Sequence, residues 1–228
     1  MKFFKKLSLF LFIIFSSTFA IGQDWPNLER FAADNAKLDS MGFDENRVVF
    51  MGNSITEGWL HDSLDFFDNK KYINRGIGGQ TTPQMLCRLR ADVIELKPEV
   101  VVILAGINDI AGNTGPMTID QILGNLYSMA ELAHAHKIKV VLSSVLPAAD
   151  FPWRPGLEPA LKVVKLNEAL KAYANKNGFI YLDYFMAMVD KNNGLQAALT
   201  YDGVHPNLAG YKVMEPLVEE AIRLARKE

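Results

Sequence analysis

From Arg47 onward, short apolar runs alternate with amphipathic stretches along the chain. Val100–Leu104 is a continuous, mostly β-branched run, the pattern of a strand buried on both faces. Residues 48–51 and 139–145 read the same way, and 72–74 and 179–182 are shorter runs of that kind. Between these runs the apolar residues recur at helical spacing. Leu86, Leu89, Val93 and Leu96 mark a helix over 83–96, and Ile122, Leu123, Leu126, Met129 and Leu132 mark one over Ile119–Ala135. Val164, Leu166, Leu170 and Tyr173 mark a third over 161–174. The chain closes with a fourth, Leu208–Ala225, in which Pro216 is expected to kink or split the helix. Strands alternating with helices of this length predict an α/β fold, a mostly parallel sheet of about five strands covered on both faces. Residues 24–43 are polar and rich in Asn and Asp, and read as a lead-in helix or covering segment.

The first 22 residues break this pattern. A basic lead (Lys2, Lys5, Lys6) precedes an apolar run over 7–15 and a small-residue exit at 16–20. That is the layout of a secretory signal peptide, with cleavage after Ala20 or Gly22, and it predicts an exported protein. The run is shorter than the ~20 residues a membrane span needs, so no span is expected after cleavage. Residues 23–228 then form one domain. Hydrophobic residues make up 49% of the chain and charged residues 22%, enough to build a core and against disorder. A formal net charge of −2 supplies no field for nucleic acid or anionic lipid. The single cysteine, Cys87, cannot form an internal disulfide, and its place in an amphipathic pattern reads as a small buried hydrophobe.

In parallel α/β folds the ligand crevice lies beyond the carboxyl ends of the strands. There the sequence places Gly52-Asn53-Ser54, Asn74 through Thr81 with Gly76, Gly78 and Gly79, and Gly106-Ile107-Asn108-Asp109, while Asp202 through Asn207 precede the last helix. A nucleophilic serine needs a base, and the base needs an orienting partner. His134 and His136 stand at i and i+2 of one helix and do not share a face. His61 falls where the first helix returns to the surface. His205 sits in a loop with Asp202 three residues before it, so one tight turn brings the carboxylate to Nδ1 and leaves Nε2 for Ser54. Acyl transfer also needs donors for an oxyanion. Ser54 offers its own N–H at a helix start, Gly79 lets a second N–H approach, and Asn108 supplies a side-chain amide. Taken one at a time, these segments are ordinary turns and caps.

Together, in this order, Gly52–Thr56, Gly76–Gly79, Gly106–Asp109 and Asp202–Pro206 resemble the four sequence blocks of the SGNH (GDSL-type) hydrolases. The resemblance spans nearly all of residues 23–228. It implies a flavodoxin-like three-layer α/β/α fold and ester hydrolysis without metal or cofactor. It places the nucleophile on Ser54, the acid and base on Asp202 and His205, and the oxyanion donors on Ser54, Gly79 and Asn108. Two positions depart from it: Asn53 and Gln80 stand where many members carry Asp.

Residues 143–155 run from the fourth strand into a Pro-rich loop whose Phe151, Trp153 and Arg154 are candidates for substrate contact, suited to sugar rings or carboxylated sugars; the alternative reading is a Pro-stiffened loop whose Trp153 simply packs. No long apolar lid is visible to shelter an acyl tail. These features favour a short acyl group, acetyl foremost, on a carbohydrate or other small-molecule ester. A lysophospholipase or thioesterase is the enzymatic alternative. A phosphate- or flavin-binding module on the same fold is the non-enzymatic one, although phosphate binding gives no reason for Asp202 and His205.

Overall fold

The structure, a computed structural model, describes residues 23–42, 44–68 and 70–227. The signal-peptide reading of residues 1–22 lies outside them. Five strands, β1 (Val48–Gly52), β2 (Tyr72–Gly76), β3 (Val100–Leu104), β4 (Lys139–Ser143) and β5 (Ile180–Leu182), form one sheet in the order β2-β1-β3-β4-β5. Every pairing is parallel. The expected α/β fold is therefore present. The switch in strand order falls at β1 and β3, with Gly52 in register with both Gly76 and Leu104. β1 and β3 are buried along their whole length, which is why they read as unbroken apolar runs.

The helices are α1 (Ala32–Ser40), α2 (Ser54–Asp62), α3 (Thr82–Leu89), α4 (Ile107–Ile110), α5 (Ile119–Ala135), α6 (Pro159–Asn177), α7 (Tyr184–Met188) and α8 (Leu208–Ala225). α5 packs between α3 and α6, and α8 packs with α2 and α7, giving the two helical layers of an α/β/α sandwich. α3 runs on into a π turn at Arg90–Ile94. Thr81 and Thr118 open α3 and α5 with capping boxes to Gln84 and Gln121.

Three expectations need correction. Of the two effects expected of Pro216, splitting is excluded: α8 runs as one helix through it, because Pro216 lies on the exposed face, where water can take the carbonyl that its missing N–H would have bonded. Cys87 is exposed. α3 buries Met85, Leu89 and, in the π turn, Val93, and the position after Cys87 that faces inward belongs to Arg88. β4 stops at Ser143, not Val145: the Val145 N–H and C=O pair with the side chain of Asn167 on α6, at 2.8 and 2.9 Å, instead of with a strand. α4 and α7 were not foreseen; four or five residues show no helical period.

An aromatic cluster seats α2. Trp59 stacks on Phe66 at 4.9 Å and on Tyr211 of α8 at 5.3 Å, and Phe50 meets Trp59 edge-on at 5.9 Å. Each such pair contributes about 0.5–1.5 kcal/mol beyond its burial. Tyr211 also donates its hydroxyl to the Ile55 carbonyl at 2.9 Å, fixing the first turn of α2 against α8.

Candidate active site

Strand β1 ends at Gly52, and Asn53 turns the chain into α2, whose first residue is Ser54. The Asn53 side-chain oxygen accepts the Ile55 N–H at 3.0 Å, so Asn53 acts as the helix cap. Its Nδ2 is buried without a partner among the described residues. The start of α2 lies hard against β2: a Cβ on Gly76 would sit 2.2 Å from the Glu57 nitrogen. Only glycine permits this approach, and Asn74 completes the seat by donating Nδ2 to the Thr56 carbonyl at 2.6 Å.

The last block folds back onto that corner. Asp202 Oδ1 accepts the N–H groups of Val204 and His205 at 3.0 and 2.8 Å, closing a tight turn. Oδ2 lies 2.8 Å from His205 Nδ1, and His205 Nε2 lies 2.9 Å from Ser54 Oγ. Burial works against the Asp202 carboxylate, but the His205 N–H, the His205 ring and the Val204 N–H outweigh it and hold the carboxyl below its ordinary range. Thr200 Oγ1 donates to the His205 carbonyl at 2.7 Å and accepts the Gly203 N–H at 2.9 Å, which steadies the turn from below. Asn207 then caps α8, accepting the Gly210 N–H at 3.0 Å.

Gly79 and Asn108 lie on the loops that follow β2 and β3, the two neighbours of β1 in the sheet. Gly79 takes a left-handed φ of 75°, and its carbonyl accepts Asn113 Nδ2 at 3.0 Å. Asn108, buried at the start of α4, donates Nδ2 to the Gln80 carbonyl at 2.9 Å, which leaves the second amide hydrogen free. Among the described residues neither the Ser54 nor the Gly79 N–H has a hydrogen-bond acceptor. An aligned serine, imidazole and carboxylate beside three spare donors can carry out acyl transfer.

Gln80, one of the two departures, is buried. Its Oε1 accepts Arg88 Nε at 2.6 Å, and its Nε2 donates to the Pro26 carbonyl at 2.7 Å. Arg88 is fully buried. It pairs with Asp92 at 2.9 Å and donates to the carbonyls of Gly52 and Arg75 at 3.0 and 2.9 Å, tying together the ends of β1 and β2. Asp109 accepts the Thr82 N–H and hydroxyl, the latter at 2.6 Å; burial pushes its carboxyl up to about 6 against these bonds.

The candidate substrate residues divide. Phe151 is fully buried and presents no surface to a ligand; its ring supports that of Trp153 at 5.4 Å. Trp153 is 47% exposed, its ring 5.8 Å from that of His205. Arg154 Nη1 donates to the carbonyls of Ala111 and Gly112 at 2.7 and 3.0 Å, clamping the Trp153 loop to the segment that follows Asn108. His61, His134 and His136 are exposed. Among the described residues no group of three His, Cys, Asp or Glu side chains is placed to hold a metal ion. Sequence reasoning missed Arg88 and Asn113, which carry no local signal, and Glu57, which stands three residues after the serine.

Residues 50–213 match the model of the GDSL-like lipase/acylhydrolase family. The solved structure of a GDSL-like lipase from Bacteroides thetaiotaomicron superposes with a TM-score of 0.83 at 48% identity, covering 88% of this chain and 99% of that one. Human platelet-activating factor acetylhydrolase IB subunit alpha2 is 26% identical over 187 residues, 79% of this chain and 78% of its own. The acetylxylan esterase of Geobacillus stearothermophilus is 24% identical over 149 residues, 63% and 68% of the two chains. This chain belongs to the GDSL-like lipase/acylhydrolase family and is a carboxylic ester hydrolase.

Proposed function

We propose that Ser54, His205 and Asp202 form the catalytic triad of an exported esterase that removes short acyl groups, acetyl foremost, from a carbohydrate or glycan ester. The observation that carries this reading is the line from Ser54 Oγ through His205 Nε2, at 2.9 Å, to Asp202 on Nδ1, at 2.8 Å. Ser54 Oγ bonds to the ester carbonyl carbon as its proton passes to Nε2. The carbonyl oxygen takes the electron pair and faces the Ser54 and Gly79 N–H groups and the Asn108 amide. Collapse breaks the ester C–O bond, and the alcohol leaves with the proton from His205. Water then repeats the sequence on the acyl-serine, releasing the acid and restoring Ser54. Asp202, held as a carboxylate, orients the ring and stabilises the imidazolium.

Two features support the substrate class. The half-exposed Trp153 ring beside His205, backed by Phe151, offers a flat apolar platform of the kind that sugar rings stack on. The two relatives differ in the substrate their names give, platelet-activating factor and xylan, but share the acetyl group. Export rests on the basic, apolar and small-residue layout of residues 1–22. The test is a panel of acetylated oligosaccharides against butyryl and octanoyl esters and acyl thioesters. The highest kcat/KM on acetylated sugars supports the assignment; a rise with acyl length rejects it in favour of a lysophospholipase or thioesterase. N-terminal sequencing of exported protein beginning after residue 20 or 22 supports the export reading, and an intact Met1 in the cytoplasm rejects it.

A further inference from the structure

The four residues 77–80 between β2 and α3 are held almost peptide by peptide. The Ile77 N–H donates to the Gly52 carbonyl at 3.2 Å, and the Gln80 N–H to the Ile77 carbonyl at 3.3 Å. Asn113 holds the Gly79 carbonyl and Asn108 the Gln80 carbonyl. The Gly78 N–H donates to Glu57 Oε2 at 2.8 Å. Among the four N–H groups only that of Gly79 is left without an acceptor among the described residues.

Two adjacent glycines give this loop no side-chain restraint on the dihedrals that orient the peptide between them. The direction of the Gly79 N–H is therefore set from either side: by Glu57 on the Gly78 N–H upstream and by Asn113 on the Gly79 carbonyl downstream. Glu57 is well placed for this. It lies in the first turn of α2, and an added Cβ on Gly78 would fall 2.9 Å from its Oε2 and 4.0 Å from Ser54 Cβ, so the loop lies directly over the serine corner. Its other oxygen pairs with Arg30 at 3.1 Å, which fixes the carboxylate and offsets its charge near the developing oxyanion.

We propose that Glu57 is a positioning residue: by accepting the Gly78 N–H it aims the Gly79 N–H at the oxyanion. The proposal rests on the reading of Gly79 as an oxyanion donor given above. What the loop needs from Glu57 is a carbonyl-type acceptor on the first turn of α2, and a glutamine supplies one without the charge.

The test compares wild type, Glu57→Ala, Glu57→Gln and Asn108→Ala on p-nitrophenyl acetate, with the fold of each verified by far-UV circular dichroism. Glu57→Ala is expected to lower kcat roughly 10- to 100-fold, the scale of a misaligned catalytic group, with KM within about twofold, because the oxyanion exists only in the transition state. Glu57→Gln is expected to recover most of that loss. An unchanged kcat in Glu57→Ala overturns the proposal, and so does a Glu57→Gln variant as slow as Glu57→Ala, since a charge effect on the helix would then be the cause. Asn108→Ala separates the two levels: a fall in its kcat with Glu57→Ala unaffected sinks only the Glu57 role, and wild-type kcat in Asn108→Ala sinks the oxyanion reading beneath it.

Discussion

Replacing Gly76 by alanine adds one methyl group at the point where β2 meets α2. The new Cβ would lie 2.2 Å from the Glu57 nitrogen and 2.7 Å from both Glu57 Cα and the Thr56 carbonyl carbon. All three are backbone atoms, so no rotamer change relieves the overlap. Ordinary contact begins near 3.4 Å, so the first turn of α2 and the end of β2 must part by about 1.2 Å. Ser54 stands on that same turn, and its 2.9 Å bond to His205 does not survive a shift of that size. A misplacement of about 1 Å costs about 10²-fold in rate. Overpacking of this kind costs about 1–3 kcal/mol of stability, and each kcal/mol lowers Tm by about 2–4 °C in a chain of this length. The assay is kcat on p-nitrophenyl acetate with Tm measured on the same preparation. A large loss of kcat with a modest fall in Tm is expected. Wild-type kcat would refute the reasoning, whatever the Tm, because it would mean that the sheet edge yields and the serine does not move.

Other perturbations report on separate parts of the site. Asn108→Ala is expected to lower kcat about 10²–10³-fold, the cost of one oxyanion donor, with little change in KM in steady-state kinetics. Asp202→Asn removes the carboxylate that orients His205; turnover should fall by up to about 10⁴-fold while the fold persists by circular dichroism. Asp109 carries a carboxyl raised from 3.8 to about 6. The native state thus binds its proton more tightly than the unfolded chain, and this group destabilises the fold as pH rises from about 4 through 6, by roughly 3 kcal/mol in full. Urea unfolding at pH 4 and pH 7 should show Asp109→Asn gaining on wild type by that order at the higher pH; a pH-independent difference would contradict the buried-carboxylate account.

The parts of the fold that were legible in the sequence are those where one physical demand dominates. β1 and β3 are buried on both faces, so residues 48–51 and Val100–Leu104 could hardly be anything but apolar. Ser54, His205 and Asp202, which the structure brings within hydrogen-bond distance, could be nominated together with Gly79 and Asn108 because parallel sheets gather the loops after successive strands at one edge. Cys87 was misread because helical spacing alone does not say which face is inward. Met85, Leu89 and Val93 face the core, and the fully buried Arg88 faces it too, since Gln80, Asp92 and two strand-end carbonyls satisfy its guanidinium. Partners from such separate segments leave no local pattern. The same holds for Phe151 and Trp153: two aromatics in one loop look alike in sequence, and tertiary packing buries the first as a support and exposes the second.

The central claim is that Ser54 is the nucleophile. Incubation with a serine-directed fluorophosphonate, followed by peptide mass spectrometry, tests it most directly. The account predicts one adduct, on Ser54, formed in step with the loss of esterase activity and absent from Ser54→Ala, which should be folded and inactive. An adduct on another residue that accompanies the same loss, or esterase turnover surviving in folded Ser54→Ala, would contradict it.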